Sequence, residues 1–165
     1  MSVADTSRAL AHLFAELTAG APPGGGAFML NSGDIGLLRS LDALSSSDAS
    51  ASIDGGASIA AHATHLQYGL SLMNRWASEG GNPFADAHWD NAWKVHAVND
   101  ADWDGIRAAL RAEVARWQQV LGEPRAMTQI ELTGMAGSVA HLAYHLGAIR
   151  QIAARARGPR EGTFR

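Results

Sequence analysis

The amino-acid sequence predicts an all-α protein built as a four-helix bundle, and three observations carry this prediction. Apolar residues recur at spacings of three and four in four long segments, which is the period of an amphipathic helix. Clusters of glycine and proline separate these segments. Strand-like alternation is missing, and only residues 127–132 suggest a short extended piece. At this length, residues 1–165 are expected to form a single domain.

The first elements are predicted from apolar stripes and from residues that stop or cap helices. Residues 3–18 carry one stripe of leucine and phenylalanine, so we expect the first long helix there, ending at the following run of glycine and proline. A short extra helix is expected at residues 35–44, with Ser32 or Asp34 as its cap. The small polar residues 44–52 are typical of a connector.

The remaining three long helices are predicted in the same way. The second begins after Asp54 and its two glycines and runs to about Ala77, with apolar residues repeating by four and three. The third begins at Asn99 or Asp100, either of which can cap it, and ends at the next glycine and proline. The fourth occupies residues 130–157.

The lengths of the connections predict the topology of the bundle. About twenty residues link the second and third long helices, and a link of that length can run the full length of a bundle. Those two helices can therefore be parallel, which gives an up-down-down-up order.

Composition excludes several classes of function. Hydrophobic residues make up 47% and charged residues 18%, a balance typical of a globular domain. The net charge of −3 gives no basic surface for nucleic acid, and no apolar run is long enough to span a membrane. The chain contains no cysteine, so histidine and carboxylate are the available metal ligands. Because no secretory signal is evident, we expect a cytoplasmic protein.

Two pairs of histidines are the strongest functional signal. His141 and His145 are four residues apart on the fourth long helix, so both imidazoles lie on one face and can bind one metal ion. His62 and His65 lie near the start of the second, with His62 close to the centre of the apolar face. One of them would complete three nitrogen ligands and leave a coordination position open, as in catalytic zinc sites. The alternative interpretation is histidines that bond only to neighbours or water.

Other residues carry weaker signals. The second helix lacks a glutamate between its histidines, so a zinc protease of the HExxH type is excluded. His12, His88 and His96 have no helical partner and are expected to be surface or packing residues. Of the five tryptophans, three are expected in the core, whereas Trp89 and Trp93 lie in the long link where a pocket can open.

Residues 58–66 and 141–151 together resemble the DinB/YfiT-like superfamily of small bacterial four-helix proteins. The resemblance implies one histidine from the second long helix and two from the fourth around a divalent metal, zinc or nickel. In this family the second-helix ligand follows a capping serine or threonine by seven residues, which places Ser58 before His65. The ligands would then be His65, His141 and His145, while the apolar pattern keeps His62 open as an alternative or auxiliary ligand.

The resemblance also implies an activity and an assembly. Several relatives resemble transferases that join a low-molecular-weight thiol, such as mycothiol, bacillithiol or glutathione, to a small electrophile. Three neutral imidazoles leave the metal its full charge, so it can lower the pKa of a bound thiol or water. Relatives often form dimers, so a homodimer is expected. No catalytic residue is identified, and Asp90 and Glu131 are the only suggestions for a general base.

Overall fold

The computed structural model describes residues 3–159, and every regular element within that range is helical. The all-α prediction is therefore confirmed. The elements are α1 (Val3–Ala19), α2 (Gly36–Asp42), α3 (Ser46–Ala49), α4 (Ile59–Glu79), α5 (Asp100–Gly122), α6 (Gln129–Ile152) and two 3₁₀ helices at Trp89–Lys94 and Ala154–Ala156.

Side-chain caps define where three of the long helices begin. Ser58 caps α4 by accepting a hydrogen bond from the backbone of Ala61. Asn99 caps α5 in a capping box, which confirms one of the two predicted positions. Thr128 and Glu131 form a capping box that starts α6. The extended piece suggested at residues 127–132 is therefore wrong, because these residues cap and begin a helix.

Two short elements differ from expectation. The extra helix α2 follows Ile35, whose side chain makes no cap hydrogen bond, while the carboxylate of Asp34 accepts from Gly36 N at 2.8 Å. Ser32 has no such role. The connector at residues 44–52 contains the one-turn helix α3, because Ser45 and Asp48 form a local capping box there.

The last long helix is shorter than predicted. It ends at Ile152 rather than near residue 157, because Ala153 adopts an extended conformation and a short 3₁₀ helix follows. The Arg150 side chain stabilises this turn by donating to Ala156 O at 3.2 Å and to Asp34 Oδ1 at 2.7 Å.

Contacts between the long helices define their relative directions. Ser7 bonds to Glu123 O and Gln118 bonds to Ala11 O, so α1 and α5 are antiparallel. Near the start of both helices, Thr64 of α4 lies beside Asp102 of α5, and Asn74 lies beside Glu113 further along, so these two helices run in the same direction. The core is continuous across all four long helices and includes the fully buried Trp103 and Trp117.

Candidate metal centre

Four histidines face one another across α4 and α6. His62 and His65 are nearly one turn apart on α4, and His141 and His145 are one turn apart on α6. The helices are antiparallel here, because His65 lies opposite His141 and His62 lies opposite His145. The apolar seam of each helix is buried against the bundle, and this burial holds the imidazoles between the two backbones.

Three of the imidazoles converge on one point. His141 Nε2 lies 3.2 Å from His65 Nε2 and 2.9 Å from His145 Nε2. Zinc–nitrogen bonds of 2.0–2.1 Å in a tetrahedral site place two ligand nitrogens about 3.3 Å apart, close to these separations. The three residues form a group that can hold a metal ion, and no fourth histidine or carboxylate of residues 3–159 joins it.

His62 contacts His145 on the side of that ring that faces away from His141. Its Nδ1 lies 2.9 Å from Nδ1 of His145, on the opposite side of that ring from the nitrogen that faces His141. With a metal ion on Nε2 of His145, its Nδ1 would carry the proton and would donate a hydrogen bond to His62. Such hydrogen bonds orient metal-bound histidines and raise their basicity. The group of three contains His65 rather than His62. The hydrogen bond to His145 makes His62 an auxiliary residue.

Burial keeps these histidines uncharged at neutral pH. His65 and His145 are 8% and 2% exposed. Burial, followed by the neighbouring histidines, lowers the pKa of His65 to about 4 and that of His145 to about 3. Burial also lowers the pKa of His62 and of His141. Since only the neutral imidazole binds metal, the site is in its ligating form at neutral pH.

Aromatic rings cover the histidines on the side of the long link. Trp93 stacks on His65 with centroids 4.3 Å apart and planes 26° apart, and it meets His62 edge-on at 5.5 Å. Trp89 lies 5.4 Å from His65. Both tryptophans belong to the 3₁₀ helix within the link, and this short helix packs on α4. The long link thus supplies one wall of the site, as its two tryptophans suggested.

A cavity opens beside the group. His65 and His141 line it together with residues from α4, α6 and the link. Nδ1 of His65 is buried and has no hydrogen-bond partner among the described residues. This unpaired nitrogen and the neighbouring cavity favour a ligand site over histidines that serve only as packed core residues.

Several residues suggested by the sequence lie away from the centre. Asp90 is exposed and pairs with Lys94 at 2.8 Å, and Glu131 is occupied in the capping box at the far end of α6. These hydrogen bonds lower the pKa of both carboxyl groups. Neither residue lines the cavity, so neither is placed to act as a general base.

The remaining histidines and tryptophans follow the sequence expectations only in part. His12, His88 and His96 are exposed and lie outside the group of three. Trp103 and Trp117 are core residues, whereas Trp76 is only half-buried. Sequence reasoning missed the contribution of Phe84, Met73 and the glycines of α6 to the cavity, because a glycine on an apolar helix gives no sign that a space lies beside it.

Comparison of the chain with protein-family models, with curated proteins and with solved structures finds no match. The DinB/YfiT-like resemblance therefore stays a prediction. Within residues 3–159, no helix is both long and apolar enough to cross a membrane. The fold and the site together define an all-α protein with a group of three histidines suited to a divalent metal ion.

Proposed function

We propose that the protein is a divalent-metal-dependent enzyme that transfers a low-molecular-weight thiol, or water, to a small electrophile. The observation that carries this proposal is the convergence of His65, His141 and His145 next to a cavity, with no fourth histidine or carboxylate ligand among residues 3–159. Catalytic zinc sites have three protein ligands and an open position, whereas structural zinc sites are closed by four.

The chain's own residues would supply the environment for this chemistry. A divalent ion held there would act as a Lewis acid that lowers the pKa of a thiol or of water. The three histidines would hold it in their neutral form, His62 would orient His145, and Trp93 would keep bulk water from His65. Because the chain has no cysteine, the thiol has to arrive as a cosubstrate. Imidazole ligands suit zinc and nickel, so either metal is proposed.

The direct test of this proposal is the metal content of the purified protein and of the His145→Ala variant. We expect about one zinc or nickel per chain in the wild type, and loss of the metal together with a lower melting temperature in the variant. The matched control is His96→Ala, which removes an exposed histidine outside the group and should change neither quantity. Wild-type protein without metal, and without stabilisation by added zinc or nickel, would overturn the proposal.

Activity would then be tested by screening thiols with electrophiles. The metal-loaded wild type should accelerate the reaction of at least one low-molecular-weight thiol with a neutral electrophile, and His145→Ala should not. A hydrolase assay on the same electrophiles separates water from thiol as the nucleophile.

A second candidate is a non-catalytic metal-binding module, associated with stress responses or structural in role. The observation that favours it is that the ligands come from two helices, so an ion would tie α4 to α6. A large metal-dependent rise in melting temperature without turnover of any thiol or electrophile would support this candidate over the enzyme.

We also propose the finer features predicted from the sequence and from the resemblance. The antiparallel pairs α1–α5 and α4–α6 and the parallel pair α4–α5 support a four-helix bundle in up-down-down-up order. A homodimer is supported by the outward face of α6, where no charged side chain lies between Glu131 and Arg150. A cytoplasmic location fits the proposed use of an intracellular thiol.

A further inference from the structure

The cavity beside the histidines has the dimensions of a small-molecule site. Its volume is about 470 Å³, within the range of roughly 300–1,000 Å³ that is usual for such sites. It lies between α4 and α6, and the link preceding α5 covers part of it. Its lining residues are His65, Leu66, Gly69, Leu70, Met73, Phe84, Trp89, Gly134, Gly137, Ser138, His141 and Leu142.

The walls offer no charge to a ligand. None of the described lining residues is acidic, lysine or arginine. Ser138 is already engaged, since its hydroxyl accepts a hydrogen bond from Trp117 Nε1 at 2.8 Å and donates one to Met135 O at 2.7 Å. Besides the indole N–H of Trp89, the imidazoles of His65 and His141 are therefore the polar side-chain groups left to meet a ligand. A carboxylate or ammonium group placed deeper in the cavity would lose its hydration without gaining a partner.

Aromatic rings and small residues determine the shape of the cavity. Phe84 and Trp89 are nearly parallel, with planes 9° apart and centroids 6.5 Å apart. The indole of Trp89 lies against α4 at Gly69, where a Cβ would be in ordinary contact with the ring at 3.6 Å. Aromatic faces and the thioether of Met73 favour a ligand that carries a flat apolar group.

Gly137 lines the cavity on the α6 side. A Cβ built at this position meets no atom within 4 Å, so a larger side chain can occupy part of the cavity without displacing its neighbours. Gly105 on α5 is equally free of neighbours, is also exposed, and does not line the cavity. The two glycines therefore form a matched pair for substitution.

We infer that this cavity binds an uncharged, mainly apolar small molecule that carries an aromatic or similarly flat group and reaches the histidines with its polar end. This inference rests on the proposed function in one respect: the bound molecule would be the electrophile. The polar thiols named above carry charged or heavily hydroxylated groups, which find no partner in this cavity and would stay outside it. The binding preference itself follows from the walls alone.

The test uses three naphthalene compounds of similar size but different charge. Binding of 2-naphthol, of 2-naphthoate and of 2-naphthylmethylammonium is measured by titration calorimetry at neutral pH, with the protein as purified and after metal removal. In the metal-free protein we expect neutral 2-naphthol to bind at least tenfold more tightly than either ion. Equal or tighter binding of either ion would overturn the inference.

The matched variants locate the binding. Gly137→Leu should weaken 2-naphthol binding at least tenfold, whereas Gly105→Leu should stay within about twofold of wild type. Both substitutions replace a helical glycine, so neither should lower the melting temperature. Equal effects of the two variants would place the ligand elsewhere and overturn the inference.

The two proposals fail in distinguishable ways. If no metal binds but the metal-free protein still prefers 2-naphthol, the enzyme proposal fails and the cavity inference stands. If metal binds but the protein does not prefer 2-naphthol over the two ions, the cavity inference fails and the metal centre stands.

Discussion

At the scale of single residues, two sequence arguments about the α4 histidines pointed to different residues. The apolar pattern favoured His62, and the distance from the capping Ser58 favoured His65. In the structure the two histidines differ in their partners: His65 Nε2 faces His141, while His62 hydrogen-bonds to the far nitrogen of His145. The apolar pattern chose the wrong imidazole, because His65 is buried in the structure and His62 is only half-buried.

Removal of His62 should weaken the metal centre without abolishing it. His62→Ala leaves three ligands but removes the acceptor of the His145 Nδ1 proton, so we expect metal affinity to fall about 10- to 100-fold. Stoichiometry should stay at about one ion per chain. Competition with a chromophoric chelator measures both quantities.

A control variant and two contrary outcomes test this prediction. His96→Ala removes an exposed histidine and should leave affinity unchanged. Complete loss of the ion in His62→Ala would instead identify His62 as a ligand, and an affinity equal to wild type would remove it from the site altogether.

At the scale of elements, α6 is unusual because both of its faces are apolar. Its 24 residues contain only two formally charged side chains, Glu131 and Arg150. The inner face carries the histidines and the core leucines. The outer face exposes Ala140, Tyr144 and Gly147 to solvent, and Tyr144 is 70% exposed. A surface of this kind is typical of a protein–protein interface.

A charge on this outer face should separate a homodimer. Ala140→Arg introduces a cation in the middle of the α6 surface, and burying it without a partner would be costly. We expect the variant to sediment as a monomer and the wild type as a dimer in analytical ultracentrifugation. The control is Ala112→Arg, an exposed position on α5, which should leave the dimer intact. A monomeric wild type, or a dimeric Ala140→Arg variant, would contradict the prediction.

The long link illustrates how an irregular element can build a site. Its sequence has no helical period, yet Trp89 and Trp93 are four residues apart and lie on one 3₁₀ helix against α4. Tyr68 helps to hold this link in place, since its hydroxyl accepts a hydrogen bond from the backbone of His88 at 3.0 Å. The tryptophans were predicted to lie near a pocket, but the stacking of Trp93 on His65 and the place of Trp89 in the cavity wall depend on how the link folds back.

At the scale of the whole molecule, the buried histidines make stability depend on pH. In the unfolded chain each imidazole titrates near 6.5, whereas in the folded protein the pKa is about 4 for His65 and about 3 for His145. Between these values the unfolded state binds more protons, so protonation favours unfolding as the pH falls. The contribution is fully present above pH 6.5 and is lost progressively below it.

The metal-free protein should therefore lose stability steeply on acidification. Each of the two histidines contributes a slope of up to about 1.4 kcal/mol per pH unit in this window. Urea unfolding at several pH values between 7.5 and 4.5 measures the slope. Substitution of both residues by glutamine removes their titration and should make the slope shallower. An unchanged slope in that double variant would show that other groups control the acid sensitivity.

Much of the fold could be predicted because it depends on local chemistry. Helix periodicity, the caps at Ser58 and Asn99, and the run of glycine and proline after α1 act within a few residues of where they occur. The errors arose where two local signals compete. At residues 127–132 the capping box of Thr128 and Glu131 dominates, and in the connector at 44–52 the box of Ser45 and Asp48 starts a turn of helix.

The sequence by itself determined the helices and placed two histidines on one face of each of α4 and α6, because a face depends only on spacing along one chain segment. The tertiary structure decided that His65 joins His141 and His145, that His62 hydrogen-bonds to His145 from outside this group, and that a cavity opens beside the group. These features depend on the rotation of α4 against α6 and on the path of the link between α4 and α5. Both are results of packing over the whole molecule, and no short stretch of sequence encodes them.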